Sequence, residues 1–330
     1  MTNISLLPYK HWQEVFSVSI LSKAFYQELS NWYFWAIKEV NFPNAPLDIG
    51  FKTKGDYEEA VKEHQAKNVI RLLTRILFVW FIKEKDLVPE EIFDESFIES
   101  ELLKDFGPQK SLGLFQQDLT HSGTYYKAIL QNLFFATLNQ KMGERKFRLP
   151  KKHRNVTHLM RYESYFKNPQ EFVDLVEDVV PFMNGGLFEC LDKPHPEKKG
   201  KQGGDVIIHI DGFSDSPDNE LRVPDYLFFG LPEEIDLSED YGSKNRAYKK
   251  AAIKGLINIL KSYKFTIAEN TPIEEDIALD PELLGKVFEN LLASYNPETK
   301  TTARKQTGSF YTPREIVDYM VDESLIAYLE

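Results

Sequence analysis

The chain has 330 residues, of which 42% are hydrophobic and 28% charged, a balance that suits a folded protein with a sizeable core and excludes a disordered one. Its net charge of −11 argues against a surface that is basic overall, the usual means of gripping nucleic acid. One cysteine, Cys190, excludes an internal disulfide and a Cys-rich zinc site; with no signal-peptide core after Met1 and only a seven-residue apolar run at Ile76–Ile82, a cytoplasmic protein is expected.

Residues 12–40 carry Phe25, Leu29, Trp32, Tyr33, Ala36, Ile37 and Val40 at helical spacing. The run Trp32-Tyr33-Phe34-Trp35 has two readings, core packing or a base-stacking platform. Core packing is favoured, because no basic residue interleaves the run before Lys38. A loop holding Pro43, Pro46 and Gly50 leads to a second helix, expected over about 57–85. Its half from Val69 to Ile82 is apolar nearly all round, with Arg71, Thr74 and Arg75 as one narrow polar stripe, so it reads as central and buried. The two arginines then need partners, either carboxylates of the fold or phosphates of a ligand.

Short helices are expected at 90–93 and 97–105, and a longer one at about 123–138. A basic stretch follows: Lys141, Arg145, Lys146, Arg148, Lys151, Lys152, His153 and Arg154. It suits either a DNA backbone or a solvated loop, and Arg145, Lys146, Arg148, Lys151, Lys152 and Arg154 are the candidate nucleic-acid contacts. A helix over 169–180 places Phe172, Leu175, Val176 and Val179 on one face. Asn184-Gly185-Gly186 marks a tight turn between apolar anchors.

Residues 193–204 are rich in Pro, Lys and Gly and read as a mobile loop. Asp205–Ile210 is the best strand, with a short neighbour as its expected hairpin partner. An irregular acidic region, 211–242, precedes helices expected at 246–262 and from Asp280 onward. The fold class that follows is mainly α, an irregular multi-helix domain with at most a small β hairpin. No metal site is expected, since the seven histidines show no i, i+4 pair. Asp192 with Glu197-Lys198-Lys199 fits the letters of a nuclease site, but at short spacing in a Pro/Gly-rich context, and no nuclease site is expected either.

Near the end stands Arg304-Lys305-Gln306-Thr307-Gly308-Ser309-Phe310-Tyr311-Thr312-Pro313-Arg314-Glu315. Thr312 suits an N-cap, Pro313 the first helical position, and Glu315 completes a capping box. Ile316, Val317, Met320, Val321, Leu325 and Tyr328 continue as an amphipathic helix. The N–H groups of such a helix start can hold an anion, for example a ligand carboxylate, and the plainer reading is a well-capped surface helix.

The wording R-K-x-T-G-S-F-Y-T-P-x-x-I-V resembles the opening motif of the DNA adenine-N6 methyltransferases of restriction–modification systems. Asp280-Pro281-Glu282-Leu283-Leu284-Gly285-Lys286-Val287-Phe288-Glu289-Asn290-Leu291-Leu292 resembles the helix that precedes this motif in type IIG-like enzymes and their phage-defence relatives. Arg71–Phe81 and Pro181–Phe188 are similar to segments of the same family's helical region. The resemblance implies a helical connector over 1–270. Residues 271–330 would then be the linking helix and the first helices of a Rossmann-like methyltransferase domain. It implies an S-adenosylmethionine pocket with Gly308, Phe310, Tyr311, Thr312 and Pro313 in one wall, and double-stranded DNA as substrate. Magnesium would serve a nuclease domain outside these residues.

The family's Gly-rich loop and its Asn/Asp-Pro-Pro-aromatic motif do not occur in the 330 residues. Glu330 falls inside the amphipathic pattern, with no Gly or Asn helix stop. A fragment that lacks the catalytic residues is therefore the expectation. The alternative is a non-catalytic helical adaptor that binds DNA or a phage-defence partner through the basic stretch.

Overall fold

The computed structural model describes residues 18–109, 123–149, 156–183, 186–199, 205–242, 246–265 and 314–329. They belong to two compact units, Gln27–Tyr263 and Met1–Tyr26 with Lys264–Glu330.

In the larger unit, helix α1 (Val18–Glu39) contributes its residues from Gln27 onward. Trp32, Tyr33, Phe34 and Trp35 are all buried, and the Trp32 indole N–H donates to the Leu227 carbonyl at 2.6 Å. The aromatic run is therefore core, and its rings are not presented for base stacking. Helix α2 (Lys54–Lys83) starts at a capping box in which Thr53 and Asp56 bond each other's backbone N–H. Its second half is buried along Val69, Leu72, Leu73, Ile76, Leu77 and Trp80. Two π-wound segments, Tyr125–Gln131 and Phe134–Leu138, joined through helical residues 132–133, make α3. Every residue of those two segments except Lys127 is buried, so α3 runs through the core.

A remote side chain caps α3. Asp225, fully buried, accepts from the backbone N–H of Tyr125 at 2.9 Å, the Thr124 hydroxyl at 2.9 Å and the N–H of Gly107 at 3.1 Å. Burial pushes its carboxyl up to about 6, although these donors oppose the shift. Gly123 precedes α3 at φ +119°, where a Cβ would stand 2.9 Å from the Val223 carbonyl oxygen.

Helix α4 (Pro169–Glu177) has Pro at its first turn and buries Phe172, Val173 and Val176. Val179, expected on its apolar face, lies past its end and is 42% exposed. Residues 193–199, expected as a mobile loop, form strand β1 (Lys193–Lys199), antiparallel to β2 (Asp205–Ile208). Pro194 and Pro196 are tolerated because a two-stranded sheet is all edge, and a proline can turn its missing donor away from the partner.

The helix expected over 246–262 is broken as well. A short turn, Arg246–Lys249, gives way to β4 (Ala251–Ile253), which pairs antiparallel with β3 (Glu233–Ile235). Two small sheets are thus present where at most one hairpin was expected. Helix α5 is Tyr226–Phe229, and α6 is Leu256–Lys261, starting after Gly255. A Cβ at Gly255 would overlap the Phe228 carbonyl oxygen, so this close approach requires glycine.

In the smaller unit, Phe25 and Phe265 meet edge to face at 5.7 Å. Helix α7 (Arg314–Leu329) is the amphipathic helix expected after the motif, and Ile316, Val317, Met320, Val321, Leu325 and Tyr328 are all exposed on it. The helix expected from Asp280 lies outside the described residues.

Candidate nucleic-acid interface

The basic stretch is described as far as Leu149. Its backbone joins Met160 in a parallel bridge at Phe147, with the Arg148 N–H donating to the Met160 carbonyl at 2.9 Å and the Met160 N–H to the Lys146 carbonyl at 3.0 Å. Phe147 packs edge to face on Phe166 at 5.5 Å. This anchoring sends the neighbouring cations to different places.

Arg145 turns inward and is 5% exposed. Its guanidinium donates to the carbonyls of Val176 at 2.7 Å, Glu177 at 3.0 Å and Val180 at 2.6 Å, closing the C-terminus of α4. Burial lowers its affinity for the proton, and the Glu177 carboxylate partly restores it. Arg148 is held bidentate by the Asp215 carboxylate. Lys141 and Lys146 are exposed. Lys151, Lys152 and Arg154 lie outside the described residues.

The base of the β1–β2 hairpin is a dense polar clasp. The Asp192 carboxylate accepts from four successive backbone N–H groups: Ile210 at 2.7 Å, Asp211 at 2.8 Å, Gly212 at 3.1 Å and Phe213 at 2.9 Å. His209 Nδ1 lies 3.0 Å from its other face. Burial opposes the charge, yet the His209 bond and the Ile210 N–H outweigh it and hold this carboxyl below the usual range. Asp211 answers in the reverse direction and accepts the Leu191 N–H at 2.8 Å. Arg75 of α2 ties both strands of the clasp to the core: it donates to Asp211 at 2.8 Å, the Leu187 carbonyl at 2.8 Å and the Glu189 carbonyl at 3.2 Å. The arginine thus takes a carboxylate of the fold. Arg71 donates to Asn68 at 2.5 Å.

Beside the clasp is a cleft of roughly 340 Å³, walled by Arg148, Arg161, Asp192, His209, Ser214 and Asp215 among others. Sequence reasoning missed this site. Arg161 and Ser214 belong to no motif, and Asp192 drew notice only for its nuclease-like letters. Asp192 is in fact consumed by backbone donors, while Glu197 and Lys198 stand exposed on β1. No group of three potential metal-ligating side chains converges among the described residues. Gly308, Phe310, Tyr311, Thr312 and Pro313 lie outside them. No helix of the described residues is long and apolar enough to cross a membrane.

No family model matches the chain. No solved structure matches it. Its sequence is 24% identical over 259 residues to a Methanocaldococcus jannaschii protein that carries the name of a type II restriction enzyme and methyltransferase. The aligned part is 78% of this chain and 14% of that protein's length. Over most of its length the chain is thus distantly similar to a restriction–modification protein.

Proposed function

We propose that this chain is the helical region, with the opening motif, of a restriction–modification DNA methyltransferase that transfers a methyl group to adenine N6. The observation that carries this reading is the similarity over 259 residues to a protein named as both restriction enzyme and methyltransferase. The Arg304–Glu315 motif independently resembles the first motif of the adenine-N6 enzymes, and the helix expected behind it is present as α7. S-adenosylmethionine supplies the methyl group. Thr312 caps the helix, leaving backbone N–H groups for the cofactor carboxylate, and Phe310, Tyr311 and Pro313 wall its apolar side. Gly308 lets the turn approach closely. The adenine is reached by flipping it out of the duplex. Any DNA cleavage would be the work of a separate magnesium-dependent nuclease part.

The described residues of the larger unit then serve as a helical connector. The charge of −11 agrees with a region that leaves most of the DNA grip to other parts of the protein. The adaptor reading is weakened, because Arg145, one of its six cations, is buried against main-chain carbonyls.

The test is calorimetric titration of S-adenosylmethionine into the full-length protein and its Tyr311→Ala and Thr312→Ala variants. Affinity at least about tenfold weaker in the variants is expected from the loss of aromatic contact and of the cap. Unchanged affinity in both removes these residues from the pocket.

A further inference from the structure

The cleft beside the β1–β2 hairpin has an unusual charge balance. Three aspartates line it, and each is already engaged. Asp192 is taken up by four N–H groups and His209. Asp215 is engaged by Arg148, and Asp205 by Lys199. Arg161 is the exception. It is 6% exposed, lies 4.6 Å over the Phe213 ring, and donates through one terminal nitrogen to the Val156 carbonyl at 2.9 Å. Its Nε is buried and meets no acceptor, and no carboxylate closes an ion pair on it among the described residues.

A buried guanidinium held by one neutral acceptor and one ring face is under-compensated for the water it has lost. Burial first, and the neighbouring Arg148 second, disfavour its charge. Two guanidiniums face one cleft, and of the three carboxylates that line it only Asp215 is paired with either of them among the described residues. Ser214 and Ser216 add hydroxyl donors on the same wall, and the Ser216 N–H is already turned onto the Ser214 hydroxyl at 3.3 Å. Planar guanidiniums with hydroxyls beside them match the tetrahedral oxygens of a phosphate.

We infer that this cleft is an oxyanion site for a phosphate group, with Arg161 and Arg148 as its cations and the Ser214 and Ser216 hydroxyls as further donors. The phosphate comes from a DNA backbone or from a free nucleotide. The DNA source rests on the function proposed above. The site itself does not, so the two can fail separately.

The probe is inorganic phosphate, titrated calorimetrically into the protein at constant ionic strength, with chloride as the control anion. Saturable binding of phosphate but not chloride is expected. Arg161→Gln should weaken it at least about tenfold, the scale for losing a charged hydrogen-bonding group. Asp215→Asn should tighten it severalfold, because it removes a carboxylate that competes with phosphate for the Arg148 guanidinium. Should Arg161→Gln fail to fold, Asp215→Asn decides alone, since Asp215 is part-exposed and its loss leaves the core untouched. Absence of saturable phosphate binding overturns the site, as does wild-type affinity in Asp215→Asn. Displacement of bound phosphate by a short duplex assigns the site to DNA. Displacement by a nucleoside monophosphate alone assigns it to a nucleotide. Failure of both to displace it overturns the assignment.

Discussion

The Arg75 guanidinium donates to the Asp211 carboxylate across 2.8 Å, with both side chains 3% exposed. The two residues lie 136 positions apart, and their pairing joins the central helix α2 to the clasp beneath the β1–β2 hairpin. Arg75 also stands 4.8 Å from the Phe135 ring centroid of α3, so one side chain touches three separate parts of the unit.

Arg75→Ala should lower unfolding free energy by about 3–5 kcal/mol, because it strands a buried carboxylate and frees two main-chain acceptors. Replacing both partners, Arg75→Met with Asp211→Leu, should recover part of that loss. Urea unfolding at pH 7 measures both. A loss below about 1 kcal/mol for Arg75→Ala would show that the pair does not organise the clasp.

Asp225 gives a pH dependence of defined sign. Its folded pKa of about 6 lies above its ordinary value of 3.8, so the folded state binds the proton more tightly than the unfolded state. Its contribution is fully present below pH 4 and is lost as pH rises through 6, by about 3 kcal/mol in all. Asp225→Asn cannot titrate. Its stability relative to the native protein should therefore improve from pH 4 to pH 7, and parallel stability profiles would refute the assignment.

Asp192 acts in the opposite sense. Its carboxyl is held below the ordinary range, so its contribution is present above the unfolded pKa near 4 and disappears as pH falls through the lower folded value. Asp192→Asn should cost roughly 2–3 kcal/mol at pH 7, with a smaller penalty at pH 3. A penalty that stays constant across this range would mean that the charge is irrelevant to the clasp.

Arg145 and Lys146 are neighbours with opposite duties. Arg145→Gln should destabilise the protein by roughly 2 kcal/mol, since it uncovers carbonyls at the end of α4. Lys146→Gln should change stability by less than about 0.5 kcal/mol. Any salt-dependent DNA binding, measured on fully folded samples, should respond to Lys146 and not to Arg145. The reverse pattern would place Arg145 at the surface.

Gly255→Ala should cost at least about 2 kcal/mol, because the added methyl group meets the Phe228 backbone rather than a side chain that can move. Thermal unfolding reads this directly. A neutral substitution would mean that the contact between α5 and the start of α6 opens easily.

The sequence by itself determined the helices α1 to α4 and the interior placement of most of their apolar faces. The spacing of Trp32, Tyr33, Ala36 and Ile37, or of Leu72, Leu73, Ile76 and Leu77, is a local property, and burying such a face is favourable whatever it meets. The motif at Arg304–Glu315 was likewise visible in the letters alone. Only the tertiary structure decided which charges remain available. Arg145 found the end of α4 and Arg75 found Asp211, whereas Arg161 was left facing a cleft. It also made a strand of the proline-bearing Lys193–Lys199 and broke the apolar pattern after Ala251 at a glycine pressed against Phe228. A charged group is settled by the particular acceptor beside it, and a strand by the partner that shares its hydrogen bonds. Both can lie many residues away along the chain, where periodicity carries no information about them.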